Sequence, residues 1–285
     1  MSATTMPLPG PTSAWPWTLR LGLAMIVLLV LATLVGPALL SADPAAIDPA
    51  ARLQPASAAH WLGTDPLGRD LLARLLAGAR VSLGAVGLIL VLVLAIGGTA
   101  GCAAGFLGGV VDAVLMRTCD AFMTIPTLVL ALFLIGLLGT GMTNVVIAIV
   151  LSHWAWYARL IRGMTLELRQ RDYIVAARVA GGSRLAIVRR HVLPAIAGQI
   201  AVLASLDLGH WMLHVAGLSF LGLGVAPPTP EWGIMISDAR AYVWEAPRLI
   251  VLPGLAILLT VMGFNLVGDS LRDRLDPALG GTEAL

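Results

Sequence analysis

Five stretches of this chain carry no Asp, Glu, Lys or Arg, or only one: residues 21–42, 81–111, 121–158, 191–230 with Asp207 as the sole interruption, and 249–268. About 20 consecutive apolar residues are enough for a helix to cross the hydrocarbon of a bilayer. Such stretches commit the chain to a membrane before any motif is read. Composition agrees, since 58% of residues are hydrophobic and 12% charged, against roughly 25% charged in soluble domains. The 121–158 stretch is too long for one crossing and holds Gly136, Gly139, Thr140, Gly141 and Asn144 near its centre. These are turn residues, so the stretch divides in two.

The expected fold is therefore all-α and integral to the membrane, with six transmembrane helices near 20–41, 81–105, 119–138, 143–161, 195–218 and 248–268. In domain terms this gives a leader at 1–18, a first transmembrane helix at 19–41, a segment at 42–80, a five-helix core at 81–268 and a tail at 269–285. The core contains a polar loop at 163–194.

Arginine supplies all 18 basic side chains, and Arg159, Arg162, Arg169, Arg171, Arg178, Arg184, Arg189 and Arg190 crowd between the fourth and fifth spans. Loops retained in the cytoplasm carry the excess of positive charge. This loop is thus expected inside, with the leader and the tail, and the 42–80 segment outside. Arg52, Arg69, Arg74 and Arg80 oppose that sidedness unless part of their segment is an amphipathic helix lying at the interface. A net charge of +2 gives no reason to expect nucleic acid.

The apolar run at 21–40 is longer than the 7–15 residues of a signal core and reads as a span rather than a cleaved signal. Cys102 and Cys119 lie in or beside spans and read as small buried residues. Within 42–80, Thr64 or Asp65 can cap a helix that has Pro66 at its first position. Gly97, Gly98, Gly101, Gly105, Gly108 and Gly109 follow no strand and precede no Gly-Lys-Ser/Thr, so they form no phosphate cradle. Close helix packing is their expected use. After the fifth span, Pro227, Pro228 and Pro230 impose an extended turn. Glu231, Asp238, Arg240 and Glu245 could then meet a delivering protein, or Trp232 and Trp244 could sit at the headgroups.

The polar loop carries Val175-Ala176-Ala177-Arg178-Val179-Ala180-Gly181, then His191-Val192-Leu193-Pro194 ten residues later. This pattern resembles the coupling loop of ABC-type importer permeases, a helix-turn-helix on which a motor subunit docks, with Val175 where that family has Glu. Trp61-Leu62-Gly63-Thr64-Asp65 with Gly68-Arg69-Asp70, then Arg80-Val81-Ser82-Leu83, resembles the dipeptide, oligopeptide and nickel importer family of these permeases. The likeness continues through Asp112 to Pro126, Tyr157 to Gly163 and Leu218 to Gly233. Residues 144–162 and 206–217 lean toward that family's nickel members.

Asp207, His210 and His214 stand at i, i+3 and i+7 and so share one stripe of the fifth span. Charged groups at that depth usually face a bundle interior or an aqueous path. Imidazole and carboxylate suit Ni²⁺, which makes His210 and His214 candidate metal contacts and the three residues a candidate substrate path. The alternative is that the three bond to one another and to neighbouring helices. His153, flanked by Trp154 and Trp156, reads as an interhelical or interfacial group.

The resemblance implies a type I ABC importer permease fold in a bacterial inner membrane, crossing it several times. It also implies a second permease as heterodimer partner, two ABC ATPases that hold ATP and Mg²⁺, and an extracytoplasmic substrate-binding protein. The chain itself is expected to meet lipid, hold no cofactor and catalyse no reaction. Ala176, Ala177, Gly181, Leu193 and Pro194 would form its ATPase coupling loop. The cargo is expected to be nickel or a nickel chelate, with a dipeptide or oligopeptide as alternative. A secondary transporter or a membrane enzyme would need no coupling loop.

Overall fold

A computed structural model describes residues 15–40 and 43–275. Most of the leader (1–14) and the end of the tail (276–285) lie outside the described residues. Ten α-helices follow one another among those described: α1 Trp17–Leu39, α2 Leu71–Leu107, α3 Gly109–Met123, α4 Thr127–Leu138, α5 Met142–Arg169, α6 Asp172–Val179, α7 Arg184–Ile187, α8 Leu193–Phe220, α9 Trp232–Asp238 and α10 Arg248–Leu275. The described residues contain no strand, only an isolated bridge between Thr64 and Asp70.

Five helical segments are long and apolar enough to cross a membrane, within α1, α2, α5, Arg184–Phe220 and α10. The third span departs from the single helix expected over 119–138. It consists of α3 and α4, bent by 90° at Thr124-Ile125-Pro126. Pro126 has no N–H to give and disfavours helical backbone at the residue before it, so the turn sits where the sequence forbids a continuous ladder. Counting that pair as one span gives six.

Central to the bundle is the packing of α2 on α5. Gly97, Gly101 and Gly105 recur every fourth residue along one face of α2, where an added Cβ would lie 2.8 Å from the Trp154 carbonyl oxygen, 2.5 Å from that of Ala158 and 2.7 Å from Thr165 Cβ. Small residues at this spacing let two backbones approach where lipid provides no hydrophobic drive between helices. Gly108 and Gly109 have another use, taking positive φ of 69° and 57° in the reversal from α2 to α3.

At one end of the bundle, residues 43–70, α9 and the start of α10 fold together. Asp65 accepts hydrogen bonds from the Leu67 and Arg69 amides and from Arg69 Nε, with Arg74 Nε 3.3 Å away. The expected cap is corrected accordingly. Asp65 and Pro66 make a turn, and the helix begins five residues later with Asp70 as its cap, bonded to the Ala73 amide at 2.8 Å and to His60 at 2.9 Å.

The α-helical part of 42–80 is residues 71–80, which are the first turns of α2. A helix of 37 residues extends about 55 Å, well beyond the roughly 30 Å of hydrocarbon. Arg69 and Arg74 are buried and paired, so they count for little as free loop charges.

Glu231 and Trp232 also correct an expectation. Glu231 is fully buried, accepts a hydrogen bond from Ser82 at 2.9 Å and caps α9 through Ile234 N, while Trp232 Nε1 donates to the Leu75 carbonyl. Neither is free for a partner or for headgroups; Trp244, 95% exposed, stands out instead.

The opposite end carries α6 and α7. Helical backbone runs unbroken from Arg184 to Phe220, passing through a π-helical turn at Val188–Val192. No break in the helix falls at residue 194. Pro194 explains the π turn: its ring conflicts with the carbonyl of residue 190 in a regular α-helix, and a widened turn relieves this. Helix α10 likewise runs past the expected end at 268 to Leu275, with Ser270 Oγ 3.0 Å from Thr18 Oγ1.

Candidate functional site

The turn after α6 is built by its sequence. Gly181 takes φ of +81°, its amide bonds to the Arg178 carbonyl, and the Gly182 amide bonds to the Ala177 carbonyl at 3.0 Å. That pairing is a Schellman closure, which needs a residue free to adopt left-handed backbone. Ser183 then caps α7 through the Ala186 amide. Ile174 and Ile187 are buried and anchor the two arms, and the Arg178 guanidinium lies 5.5 Å from the centre of the Phe106 ring on α2.

Ala176 is exposed, Ala177 half-buried, and Leu193 and Pro194 exposed on the first turn of α8. Beside them Tyr173, Val175, Val179 and Leu185 leave apolar side chains uncovered at this end of the bundle, with Val179 84% exposed. The five residues expected in the loop are thus brought to one region, Gly181 at its turn and Leu193-Pro194 at the root of the long helix.

The second site is a cavity of about 310 Å³ lined by Phe122, Met123, Ile125 and Thr127 at the break of the third span, by Ser152, His153, Trp156 and Tyr157 from α5, and by Asp207, His210 and His214 from α8. Irregular backbone at membrane depth is tolerated where it lines a cavity or is buried in protein, and here the break between α3 and α4 does line one. All three residues of the predicted stripe face the cavity.

Each of the three is bonded differently. Asp207 accepts a 2.6 Å hydrogen bond from the Tyr157 hydroxyl. His210 is exposed within this chain and makes no hydrogen bond or ion pair among the described residues. The His214 ring lies 5.5 Å from that of His153, centre to centre, and its Nδ1 is buried with no hydrogen-bond partner. The three stripe residues therefore do not bond to one another. Among the described residues no group of three or more His, Cys, Asp or Glu is arranged to hold a metal ion, so His210 and His214 alone are not a closed coordination set.

Sequence reasoning did not place Tyr157 at this cavity and read His153 as an interhelical or interfacial group; both line it. On α5, unlike α8, no run of spaced polar groups marks the facing side, although His153 and Tyr157 are four apart and share a face. Pairing that face with the α8 stripe requires knowing how the helices pack. Cys102 and Cys119 are free and buried, as expected.

Comparison with known proteins places these features in a family. The family described as binding-protein-dependent transport system inner membrane component matches residues 97–281. The nickel transport system permease protein NikC of Escherichia coli strain K12 is 54% identical over 263 residues, covering 92% of this chain and 95% of that protein. The probable D,D-dipeptide transport system permease protein DdpC of the same organism is 44% identical, covering 91% and 87%. A glutathione transport system permease protein, GsiD of Pectobacterium atrosepticum, is 47% identical, covering 78% and 74%. Among solved structures, the MetNI methionine ABC transporter in an inward-facing conformation matches with a TM-score of 0.55 at 19% identity, over 71% of this chain and 96% of that one. At that identity the likeness concerns the fold alone.

Proposed function

This chain belongs to the binding-protein-dependent transport system inner membrane component family, and on that premise we propose that it carries nickel, as ion or chelate, across the membrane. It is a multi-pass inner-membrane permease subunit of an ABC importer. The observation that carries the cargo reading is the cavity, in which one carboxylate and three imidazoles converge on the broken third span. A peptide path has no special need of imidazoles, whereas a first-row divalent cation does. The likeness to DdpC, a probable D,D-dipeptide transport system permease protein, supports a second reading, with a dipeptide or oligopeptide as cargo.

In the proposed assembly, a second permease completes the path as a heterodimer partner. Two ATPases dock on the end carrying α6 and α7 and hold ATP and Mg²⁺. A substrate-binding protein delivers cargo at the opposite end. The unbroken helix from Arg184 to Phe220 links the two functions of this chain. It starts beside the docking turn and carries Asp207, His210 and His214 about 35–45 Å further along. Displacement of α6 and α7 by the motor would move these groups as one rod. Access to the cavity would then alternate between the two sides.

Two measurements test this reading. Proteoliposomes holding the whole complex should take up ⁶³Ni with ATP and binding protein, and a large excess of dipeptides should not compete. His210→Ala should lower that uptake without changing complex yield, since His210 makes no hydrogen bond or ion pair among the described residues. Peptide uptake with no nickel uptake would replace the reading with the peptide one.

Sidedness is checked separately. Ala58 and Ser183 are both exposed, and the two native cysteines are buried. In intact cells, Ala58→Cys should react with an impermeant thiol reagent and Ser183→Cys should not. Labelling at position 183 alone would invert the topology.

A further inference from the structure

We propose that His153 and His214, on facing helices, are the pair of imidazoles that holds the metal in transit. This rests on the nickel reading and adds His153, which the helical stripe on α8 does not contain. Three observations support the pair. First, the two rings lie 5.5 Å apart, centre to centre, and both line the cavity. Two imidazoles on one first-row divalent ion, with bonds of about 2.0–2.1 Å, bring their ring centres within about 6 Å of each other.

Second, His153 Nδ1 lies 2.8 Å from the Ile149 carbonyl oxygen. A carbonyl only accepts, so Nδ1 carries the proton and Nε2 keeps its lone pair. A hydrogen bond from the second ring nitrogen to a backbone carbonyl is the usual support of a metal-ligating histidine, setting its tautomer and its orientation. Third, His214 Nδ1 is buried and has no partner. Buried polar atoms are nearly always satisfied, and an ion bound at Nδ1 would satisfy this one.

Asp207, held by Tyr157 on the same wall of the cavity, supplies negative charge nearby without completing a closed site. Two neutral nitrogens with open remaining positions suit a cargo that must leave again. Tight three- and four-ligand sites suit resident ions. The pair also bridges α5 and α8, so the rod motion that opens the path would separate its two ligands and release the ion.

The test uses the purified complex of this chain with its second permease and ATPases. His153→Asn retains a donor for the Ile149 carbonyl but removes the Nε2 lone pair; His214→Asn replaces the imidazole nitrogen at the Nδ1 position with an amide group, which binds a first-row divalent ion more weakly than imidazole does. Equilibrium dialysis with ⁶³Ni²⁺ should show at least a tenfold loss of affinity in each, at unchanged complex yield. Wild-type affinity in either Asn variant, or loss of complex yield in both, would overturn the pair as ligands. Uptake of ⁶³Ni by the unsubstituted complex is the separate arm for the nickel reading. Absent uptake with intact, pair-dependent binding would overturn the cargo and keep the site, and normal uptake with pair-independent binding would do the reverse.

Discussion

The Gly101→Leu chain is expected to reach the membrane and fail to fold there, with at least a tenfold fall in the yield of folded complex. A Cβ at this position would lie 2.5 Å from the Ala158 carbonyl oxygen and 2.9 Å from Ile161 Cβ, and neither atom belongs to the flexible end of a side chain. Over-packing of an ordinary core costs about 1–3 kcal/mol, and about 1.4 kcal/mol is already a factor of ten. Here the backbones of α2 and α5 would have to part, which also disturbs the contacts at Gly97 and Gly105. Gly84→Leu on the same helix is the control, since an added Cβ there meets nothing within 4 Å. Detergent-extracted yield and size-exclusion profiles measure the outcome. A normal yield from Gly101→Leu would mean that the two helices do not pack this closely.

Uncoupling is the second large effect. Gly181→Val should leave the complex assembled but reduce ATP-driven uptake by roughly tenfold or more. Nothing lies within 4 Å of a Cβ at this position, so the effect cannot come from a clash within the chain. It comes from the backbone, because φ of +81° is a genuine outlier for a β-branched residue, and left-handed backbone costs about 1–2 kcal/mol for an L-residue. The Schellman bonds to Ala177 and Arg178 would open and the angle between α6 and α7 would drift. Asn tolerates left-handed backbone, so Gly181→Asn should retain most uptake. Equal loss in both variants would show instead that a partner fills the space beside Gly181, and full uptake by Gly181→Val would remove this turn from the coupling path.

Several elements were legible because their causes are local. The turn at Gly181 needs only a residue free to take positive φ and a capping serine two positions on. The stripe of Asp207, His210 and His214 follows from the helical repeat, and the glycines of α2 from their spacing. The cap of α2 was misplaced because Asp65 and Asp70 are equally good caps by residue type. Arg69 and Arg74 decide between them by drawing Asp65 into a buried cluster. Glu231 and Trp232 were misread for a related reason, as their partners Ser82 and Leu75 are about 150 residues away in the chain.

The sequence by itself determined that the chain crosses a membrane, how often and with which loop as the polar one. Each of these depends on run length and charge, which a bilayer reads segment by segment. Only the tertiary structure decided that His153 and Tyr157 complete the cavity, that the break at Pro126 opens onto it and that one rod joins the end carrying the Gly181 turn to the cavity wall. A helix apolar on all sides carries no signal of which face meets protein and which meets lipid. That choice is made by small residues and carbonyl positions on a neighbouring helix, which no local pattern contains.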